Sequence, residues 1–419
     1  MNTQIVSILI FSAVILSIIT EKIDRTVAAI SGAVLMILTN VLTLEKGISY
    51  IDFNTIGVLV GMMLVVSIVK NSGLFEYIAI YTAKKSKGNP WKIMIYFVLI
   101  TAILSALLDN VTTVLLIGPM TIVICQILNI NPVPFLMTEI IASNVGGTAT
   151  LIGDPPNIMI GSAANLSFSD FVINVGPAVI IIIIFIILSF KLIYKKDIPN
   201  VDNEACITSL DEEKAIQDKS LLYKSICVLF LILFGFIFHS KLHIESSIVA
   251  LSGACIMLII GKQDTNEIIN SVEWSTILFF IGLFIVVGGL SECGVINSLA
   301  QLLINITKGH PTYTMCIILW ISAIISSFLD NIPFVATLIP LILTMESQGI
   351  NVMPLWWATS LGACLGGNGT LIGASANVVL ANIGEKHGYN ISFKKYFKLG
   401  FPVMLLTIVI STIYLLLKY

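Results

Sequence analysis

Long apolar runs separated by short polar connections cover most of the chain. Many of these runs reach about 17–25 residues, the length at which a helix crosses the hydrocarbon core of a bilayer. The first run, IVSILIFSAVILSII, lacks a basic start and a small-residue cleavage site, so we interpret it as a retained helix rather than a signal peptide. The pattern predicts an all-α polytopic membrane protein.

The predicted helices form two series in the same order. The first series is 4–20, 24–43, 53–72, 91–128 interrupted at 109–110, a broken segment 133–164, and 171–194. The second series is 221–238, 245–261, 274–292, 311–345 interrupted at 330–331, a broken segment 352–381, and 397–418. Each interrupted region is either a re-entrant hairpin or two full spans. The chain then has about ten spans plus two hairpins, or roughly 12–14 apolar segments.

The two series are copies of one another. SALLDNVTTVLLIGP at 105–119 returns as SSFLDNIPFVATLIP at 326–340, an offset of 221 residues. SGAVLMI at 31–37 returns as SGACIML at 252–258 with the same offset, and GGTATLIGDPPN at 146–157 returns as GGNGTLIGASAN at 366–377 with an offset of 220. This register predicts a transmembrane repeat over 1–198, a cytoplasmic hinge loop over 199–220, and a second repeat over 221–419.

The positive charges predict how the two repeats are oriented. Both interpretations of the interrupted regions give an odd number of crossings per repeat, about five helices plus a hairpin, which inverts the second repeat relative to the first. With the N-terminus outside, 18 of the 22 lysine and arginine residues lie on the cytoplasmic side. The excess of positive charge on the inner face supports this orientation, with both termini outside.

Composition restricts the class of protein further. The chain is 57% hydrophobic and 11% charged, whereas soluble domains carry roughly 25% charged residues. A net charge of −2 argues against nucleic acid as a partner. The seven cysteines contain no C-x-x-C pair, so neither a disulfide framework nor a metal site is predicted. No ATP-binding G-x-x-x-x-G-K-[ST] motif is present. A separate ATPase subunit and a homodimer stay open.

The segment SNVGGTATLIGDPPN at 143–157 cannot form a continuous helix. Its glycines weaken helical structure, and Pro155-Pro156 remove two backbone donors. The pattern predicts a half-helix, a loop and a second half-helix, with Asp154 as N-cap and Pro155 in the first helical position. The second copy breaks at the same place, with Ser375 as the predicted cap.

The interruptions at 109–110 and 330–331 predict helix restarts as well. Asp109 or Asn110, and Asp330 or Asn331, are the predicted caps. Irregular backbone at membrane depth survives only inside protein or beside a cavity. We therefore expect four helix N-termini to converge near the midplane, where unpaired N–H groups suit anionic ligands and side-chain oxygens suit Na⁺ or a proton.

Ionisable groups at membrane depth are functional candidates because burying them is costly. Asp154 has only Ala374 as its repeat counterpart, so we expect Asp154 to carry the driving ion and the paired tips to hold the cargo. The candidate substrate- and ion-binding residues are Asp109, Asn110, Thr112, Thr113, Asn144, Gly146, Gly147, Thr148, Thr150, Gly153, Asp154, Asn157, Asp330, Asn331, Gly366, Gly367, Asn368, Thr370, Gly373 and Asn377.

The paired motifs resemble a known family. SALLDNVTTVLLIGPMTI followed by SNVGGTATLIGDPPNIMI is similar to the ion transporter superfamily, in its arsenite-permease and sodium–proton-antiporter branch, nearest to the group of the pigmentation P protein and its prokaryotic relatives. The resemblance implies an inverted-repeat fold with two re-entrant hairpins and two discontinuous helices around a midplane site. Dicarboxylate members carry Ser-Asn-Thr at the hairpin tips, where this chain has Asp109-Asn110 with Thr112 and Asp330-Asn331.

These observations predict a transporter of the cytoplasmic membrane and not an enzyme. The intramembrane aspartyl protease motif G-x-G-D is excluded, because Leu151 stands two residues before Gly153. The predicted function is secondary active transport of a small inorganic anion or arsenite-like oxyanion, coupled to proton or Na⁺ exchange, with no cofactor beyond that ion. The alternatives are a Na⁺/H⁺ antiporter and a passive anion channel.

Overall fold

The computed structural model is all-helical and describes residues 3–20, 22–195, 198 and 211–419. Within these ranges, nine helices are long and apolar enough to cross a membrane by length and composition. Four further apolar helices are shorter, with 10–17 residues. Large apolar side chains such as Leu16, Leu192 and Leu417 point outward, where lipid would cover them. The chain is a multi-pass membrane protein.

The first half runs from the helix Thr3–Thr20 to the long apolar helix Gly176–Ile193. Its helices are α1 (Thr3–Thr20), α2 (Arg25–Leu38), α3 (Leu44–Ser49), α4 (Phe53–Lys70), α5 (Leu74–Lys85), α6 (Pro90–Leu107), α7 (Asn110–Ile127), α8 (Val133–Thr148), α9 (Pro155–Ala164), α10 (Phe168–Asn174) and α11 (Gly176–Ile193).

The second half repeats this order. Its helices are α12 (Lys219–Phe238), α13 (Ser246–Gly261), α14 (Thr265–Asn270), α15 (Trp274–Glu292), α16 (Val295–Thr307), α17 (Pro311–Phe328), α18 (Asn331–Ser347), α19 (Met353–Gly366), α20 (Ser375–Lys386) and α21 (Phe393–Lys418).

The predicted interruptions occur where the sequence indicated them. Helix α6 ends at Leu107 and α7 begins at Asn110, while α17 ends at Phe328 and α18 begins at Asn331. The broken segments divide into α8 and α9 in the first half and into α19 and α20 in the second. The pattern was informative here because caps, glycines and prolines act locally on the backbone.

Five helices were not predicted: α3, α5, α10, α14 and α16. All are shorter than a membrane span, so a search for long apolar runs does not find them. Helices α5 and α16 follow Gly73 and Gly294, which are repeat counterparts and have φ of 82° and 75°. Glycine adopts this left-handed conformation without a Cβ penalty, so each repeat turns at the same point.

Four helices from the two halves pack together as a framework. Helix α4 of the first half packs on α13 of the second, and α15 of the second packs on α2 of the first. At these crossings a Cβ on Gly61 would lie 2.7 Å from the backbone of Ala250, and a Cβ on Gly282 would lie 2.6 Å from that of Ala29. Small residues thus let the backbones approach closely, as in other membrane helix pairs.

A second group of helices, which we call the site bundle, consists of α6–α9 and α17–α20. Here too the halves exchange partners, because α7 packs on α20 and α18 packs on α9. The site bundle contacts the framework through α9 on α4 and α18 on α15. The starts of α7, α9, α18 and α20 lie where the two groups meet.

Residues 199–210 of the predicted hinge lie outside the described residues. The last part of the hinge forms a short 3₁₀ turn, Glu212–Ala215, that packs against α5. Lys84 forms an ion pair with Glu212, and its hydrogen bond lowers the pKa of that carboxyl. The Gln217 N–H donates to the Ser72 carbonyl at 3.1 Å. This end of the hinge is therefore attached to the first half, and the repeat boundaries stay a prediction.

Candidate functional site

A small cavity of about 30 Å³, bordered by several charged and polar residues, lies between the framework and the site bundle. All four helix starts contribute to its wall. The polar and charged residues that line it are Arg25, Asp109, Asn110, Asp154, Glu273, Thr276, Asn331 and Ser375. The convergence of helix N-termini expected from the sequence is present in the structure.

Asp109 caps α7, as predicted. Its Oδ1 accepts a hydrogen bond from the Thr112 N–H at 2.7 Å, and the Thr112 hydroxyl donates to its Oδ2. Both carboxylate oxygens therefore have partners on the same helix, while the residue still borders the cavity. Thr112 thus pairs with Asp109 from the first turn of α7, and the Thr113 hydroxyl is buried with no hydrogen-bond partner among the described residues.

Asp330 caps α18 and also forms an ion pair with Arg25 at the start of α2. Its Oδ1 accepts from the Ile332 N–H at 3.2 Å, and Arg25 Nη1 lies 3.2 Å from its Oδ2. The Ser375 hydroxyl donates to the same Oδ2 at 2.9 Å and accepts a hydrogen bond from Arg25. The two aspartates thus differ: Asp330 is paired with Arg25, whereas Asp109 accepts hydrogen bonds from Thr112 of its own helix and forms no ion pair with a described residue.

Arg25 was not among the residues predicted from the sequence. Its Nη2 donates to the Thr276 hydroxyl at 3.2 Å, and its guanidinium carbon lies 5.3 Å from the centroid of the Phe279 ring. One signal was available, because Arg25 is the sole arginine of the chain. Glu273 was missed as well; it borders the cavity and accepts from the Thr276 hydroxyl at 3.1 Å.

The prediction that the Asp154 side chain caps α9 is wrong. Asp154 occupies the N-cap position, but its side chain makes no cap hydrogen bond. A capping oxygen accepts from the second or third helical N–H. Pro156 in the second position has none, and the Asn157 N–H donates to the Asp154 carbonyl at 2.9 Å. The buried carboxylate is left to accept from Asn331 Nδ2, which lies 3.3 Å from both of its oxygens.

The prediction that Ser375 caps α20 is also wrong. Ala374 occupies the N-cap position and Ser375 is the first helical residue. The Ser375 side chain turns towards the tip of the neighbouring helix and joins Asp330 to Arg25. A cap assignment by spacing is local, and it missed a side chain whose partners lie 45 and 350 positions away.

Asparagine side chains form a buried network behind the cavity. Asn110 Nδ2 donates to Asn144 Oδ1 at 3.2 Å, and Asn144 Nδ2 donates to Asn368 Oδ1 at 2.9 Å and to Asn377 Oδ1 at 2.8 Å. The network connects the two halves at the centre of the site bundle. Asn368 Nδ2 is buried and has no partner among the described residues. An unpaired buried donor is costly, which marks Asn368 as an unsatisfied point of the network.

Asn157 and Asn377 hold the two loops of the broken segments in shape. Asn157 Nδ2 lies within 3.3 Å of the Gly147, Thr148 and Thr150 carbonyls. Its repeat counterpart Asn377 donates to the Gly367 and Thr370 carbonyls at 2.7 and 2.9 Å. These amides satisfy loop carbonyls that would otherwise lie unpaired in the membrane interior.

The remaining predicted residues are glycines and threonines, and they pack the broken segments against α6 and α17. A Cβ on Gly366 would lie 2.7 Å from the backbone of Ala323, and a Cβ on Gly146 would lie 2.1 Å from the carbonyl oxygen of Ala102. Gly153 and Gly373 lie against the carbonyls of Gly147 and Gly367. The Thr150 hydroxyl donates to a carbonyl of α6 and the Thr370 hydroxyl to a carbonyl of α17. The Thr148 hydroxyl donates to the Asn144 carbonyl at 2.7 Å. None of these contacts tests their predicted role in binding.

The charges around the cavity are unequal in number. Four carboxylates, those of Asp109, Asp154, Glu273 and Asp330, lie on or next to its wall, with Arg25 as the single cation among them. Carboxylates in a low-dielectric site are stable when they hold a proton, a cation or a hydrogen-bond donor. The arrangement is therefore chemically able to bind H⁺ or a small cation.

Comparison with known proteins places the chain in a family. Residues 15–362 match the family model described as citrate transporter. An uncharacterized transporter of Mycobacterium tuberculosis is 44% identical over 425 residues, covering 99% of both chains. The P protein of Homo sapiens is 34% identical over 505 residues, covering 100% of this chain and 60% of the P protein. The predicted relationship to the P protein is confirmed.

A solved structure agrees with the fold. The YdaH transporter of Alcanivorax borkumensis superposes with a TM-score of 0.54 at 14% sequence identity, covering 90% of this chain and 87% of that one. At this identity the likeness concerns the fold alone. The sequence matches and the membrane fold together lead to one conclusion: the chain belongs to the citrate transporter family of the ion transporter superfamily, and it is a secondary transporter rather than an enzyme.

Proposed function

We propose that this protein transports a small inorganic anion or arsenite-like oxyanion across the cytoplasmic membrane, coupled to the movement of H⁺ or Na⁺. The observation that carries the proposal is the meeting of four helix N-termini with four carboxylates and one arginine at one cavity. Helix N-termini favour anions, and carboxylate oxygens favour a proton or a hard cation. One site thus offers ligands for the cargo and for the driving ion.

The second part of the proposal is the architecture: two inverted repeats, each with a re-entrant hairpin and a discontinuous helix. The exchanged packing of α4 on α13 and of α15 on α2 supports it, because counterpart helices make counterpart contacts. The hairpins would be α6–α7 and α17–α18, with the aspartates at their tips. Inverted repeats permit alternating access by movement of one group of helices against another.

The tips argue against a di- or tricarboxylate as the cargo. Dicarboxylate members of the superfamily, by the resemblance noted above, carry Ser-Asn-Thr where this chain has Asp109-Asn110 and Asp330-Asn331. A carboxylate at each tip would repel a multiply charged organic acid. A small ion or a weakly acidic oxyacid meets less repulsion.

A Na⁺/H⁺ antiporter is the second candidate function. The excess of four carboxylates over one arginine favours it, since a site that binds only cations needs net negative charge. In that case Asp109 and Asp154 would bind the transported cation itself, and no anion would move.

A flux screen tests the proposal. Purified protein in liposomes is offered radiolabelled arsenite, phosphate, chloride and citrate with an inward gradient of H⁺ or of Na⁺, and Na⁺ against a pH gradient. Gradient-driven accumulation of arsenite, phosphate or chloride supports the proposal. Sodium–proton exchange without movement of any of these solutes supports the antiporter, and anion flux that ignores both gradients and a protonophore supports a channel.

A further inference from the structure

We propose that Arg25 is the residue that recognises an anionic cargo, and that it exchanges Asp330 for the cargo anion when a cation neutralises Asp330. The inference rests on the proposed function and specifies its chemistry. It makes Arg25 the specificity-determining group of the site and Asp330 the point at which the driving ion and the cargo are coupled.

Arg25 lies between two cavities. It borders the small cavity described above, and it also borders a larger, open cavity of about 320 Å³. Ser375 borders both as well, and Asp330 borders the open one. The Arg25 side chain is 30% exposed and that of Asp330 is 11% exposed. A solute in the open cavity can therefore contact the guanidinium, which is the more exposed of the two groups.

The contacts of Arg25 are those of a group that can change partners. A guanidinium has five N–H donors in a planar fork that matches carboxylates and oxyanions. Here Nη1 donates to Asp330 Oδ2 and to the Ser375 hydroxyl, and Nη2 donates to the Thr276 hydroxyl. Thr276 and the Phe279 ring belong to the framework helix α15, whereas Asp330 and Ser375 belong to the site bundle. The framework contacts hold the arginine in place while its anionic partner changes.

The pairing of opposite charges links the exchange of Asp330 for the cargo anion to cation binding. While Asp330 is ionised it satisfies Arg25, and a cargo anion would have to displace it. When H⁺ or Na⁺ neutralises Asp330, Arg25 loses its direct ion-pair partner, and its Nη1 becomes available to another anion. An oxyanion from the open cavity then restores the pairing by charge-assisted hydrogen bonds. Cation binding thus raises anion affinity, and the empty site keeps its internal ion pair.

The other half of the protein has no such pair. The repeat counterpart of Arg25 is Ser246, and the counterpart tip Asp109 is bound to Thr112 of its own helix. The counterpart cavity, of about 330 Å³, is bordered by Ser246, Glu245, His239 and Ser162. Of these two open cavities, the one beside Arg25 has Asp330 in its wall, whereas the other is bordered by no aspartate. Anion recognition is therefore assigned to the side of the site that holds Arg25 and Asp330.

The test compares Arg25→Gln, Arg25→Lys, Asp330→Asn and the double variant in proteoliposomes, with Lys46→Gln as the control. Lys46 forms an exposed ion pair with Glu292 far from the cavity, so Lys46→Gln removes a positive charge without touching the site. The probes are phosphate, chloride and citrate as anions, and arsenite, which is largely uncharged at neutral pH. Thermal unfolding in detergent checks that each variant is folded, and the double variant, which lacks both charges, avoids an unpaired buried ion.

For an anion that the wild type transports, Arg25→Gln should raise KM about tenfold or more, with Arg25→Lys in between, because a charge-assisted contact is lost. Asp330→Asn should bind the anion without added Na⁺ or acid and lose the cation dependence of its KM. The double variant should fold and should keep a high KM for anions. Lys46→Gln should match the wild type.

Unchanged anion KM in folded Arg25→Gln and in the double variant would overturn the inference while leaving the proposed function intact. Transport of arsenite with none of the three anions would also overturn it, since an uncharged cargo needs no guanidinium. If the wild type moves none of the four solutes, the proposed function fails first and the inference falls with it.

Discussion

Asn331 of the second half donates from Nδ2 to both carboxylate oxygens of Asp154 in the first half, at 3.3 Å each. The contact joins the start of α18 to the start of α9. Its counterpart does not exist, because Ala374 replaces the aspartate and Asn110 donates to Asn144 instead. Asp154 is therefore, with Arg25, one of the groups by which the two halves of the site differ.

Asp154→Asn removes a carboxylate that can carry H⁺ or Na⁺ but keeps the side-chain volume. We expect exchange of cargo for cargo to continue and gradient-driven accumulation to be lost, because accumulation needs the ion. Uptake into liposomes with and without an imposed gradient measures the two separately. Since Asp154 makes no cap hydrogen bond, the change should cost α9 little.

Asp264→Asn is a matched control for Asp154→Asn, because Asp264 caps the short helix α14 outside the site. The control should accumulate cargo normally. Accumulation by Asp154→Asn with unchanged dependence on pH and Na⁺ would remove Asp154 from ion coupling.

Asp109→Ala and Asp330→Ala should each abolish gradient-driven transport while the protein stays inserted. Asp109→Asn separates the chemistry from the cap: asparagine caps nearly as well as aspartate, whereas alanine costs roughly 0.5–2 kcal/mol of helix stability. We expect Asp109→Asn to unfold like the wild type in detergent and still to fail in transport. Normal flux in Asp109→Asn would show that Asp109 is only a cap.

Single cysteines at Lys85 and Lys214 should be shielded from impermeant thiol reagents in intact cells and labelled after lysis, in a background without the native cysteines. The orientation predicted from lysine placement puts both inside, and the Lys84–Glu212 ion pair brings their segments to the same surface. A cysteine at Lys308, which is exposed and predicted to lie outside, is the positive control. Labelling of Lys85 and Lys214 in intact cells would reverse the orientation.

Gly61→Ala and Gly282→Ala should destabilise the protein to a similar extent. Each added Cβ would lie within 2.7 Å of the facing backbone, that of Ala250 or of Ala29. Overpacking of this kind costs about 1–3 kcal/mol. The apparent Tm in detergent should fall for both, whereas Gly176→Ala, with its nearest neighbour at 4.0 Å, should leave it unchanged. Different responses of the two counterparts would argue against equivalent packing of the repeats.

The sequence by itself determined the class of fold, the duplication and the places where the helices break. Apolar length, the repeat register, and the effects of proline, glycine and capping residues are local properties of the chain. For this reason the sequence alone predicts a cap at Asp109 or Asn110 and another at Asp330 or Asn331. The helix starts were expected to converge because membrane-buried backbone has few other ways to satisfy its hydrogen bonds.

Only the tertiary structure decided which side chains meet. Arg25 and Glu273 lie far apart along the chain, and nothing in their spacing indicates that they share a wall with Asp154. The sequence around Asp154 predicts a cap, but Pro156 has no N–H to donate to its side chain. The donor is instead the side-chain amide of Asn331, 177 positions away. Hydrogen bonds and ion pairs form between groups that packing brings within about 3 Å, and that packing is a property of the whole fold.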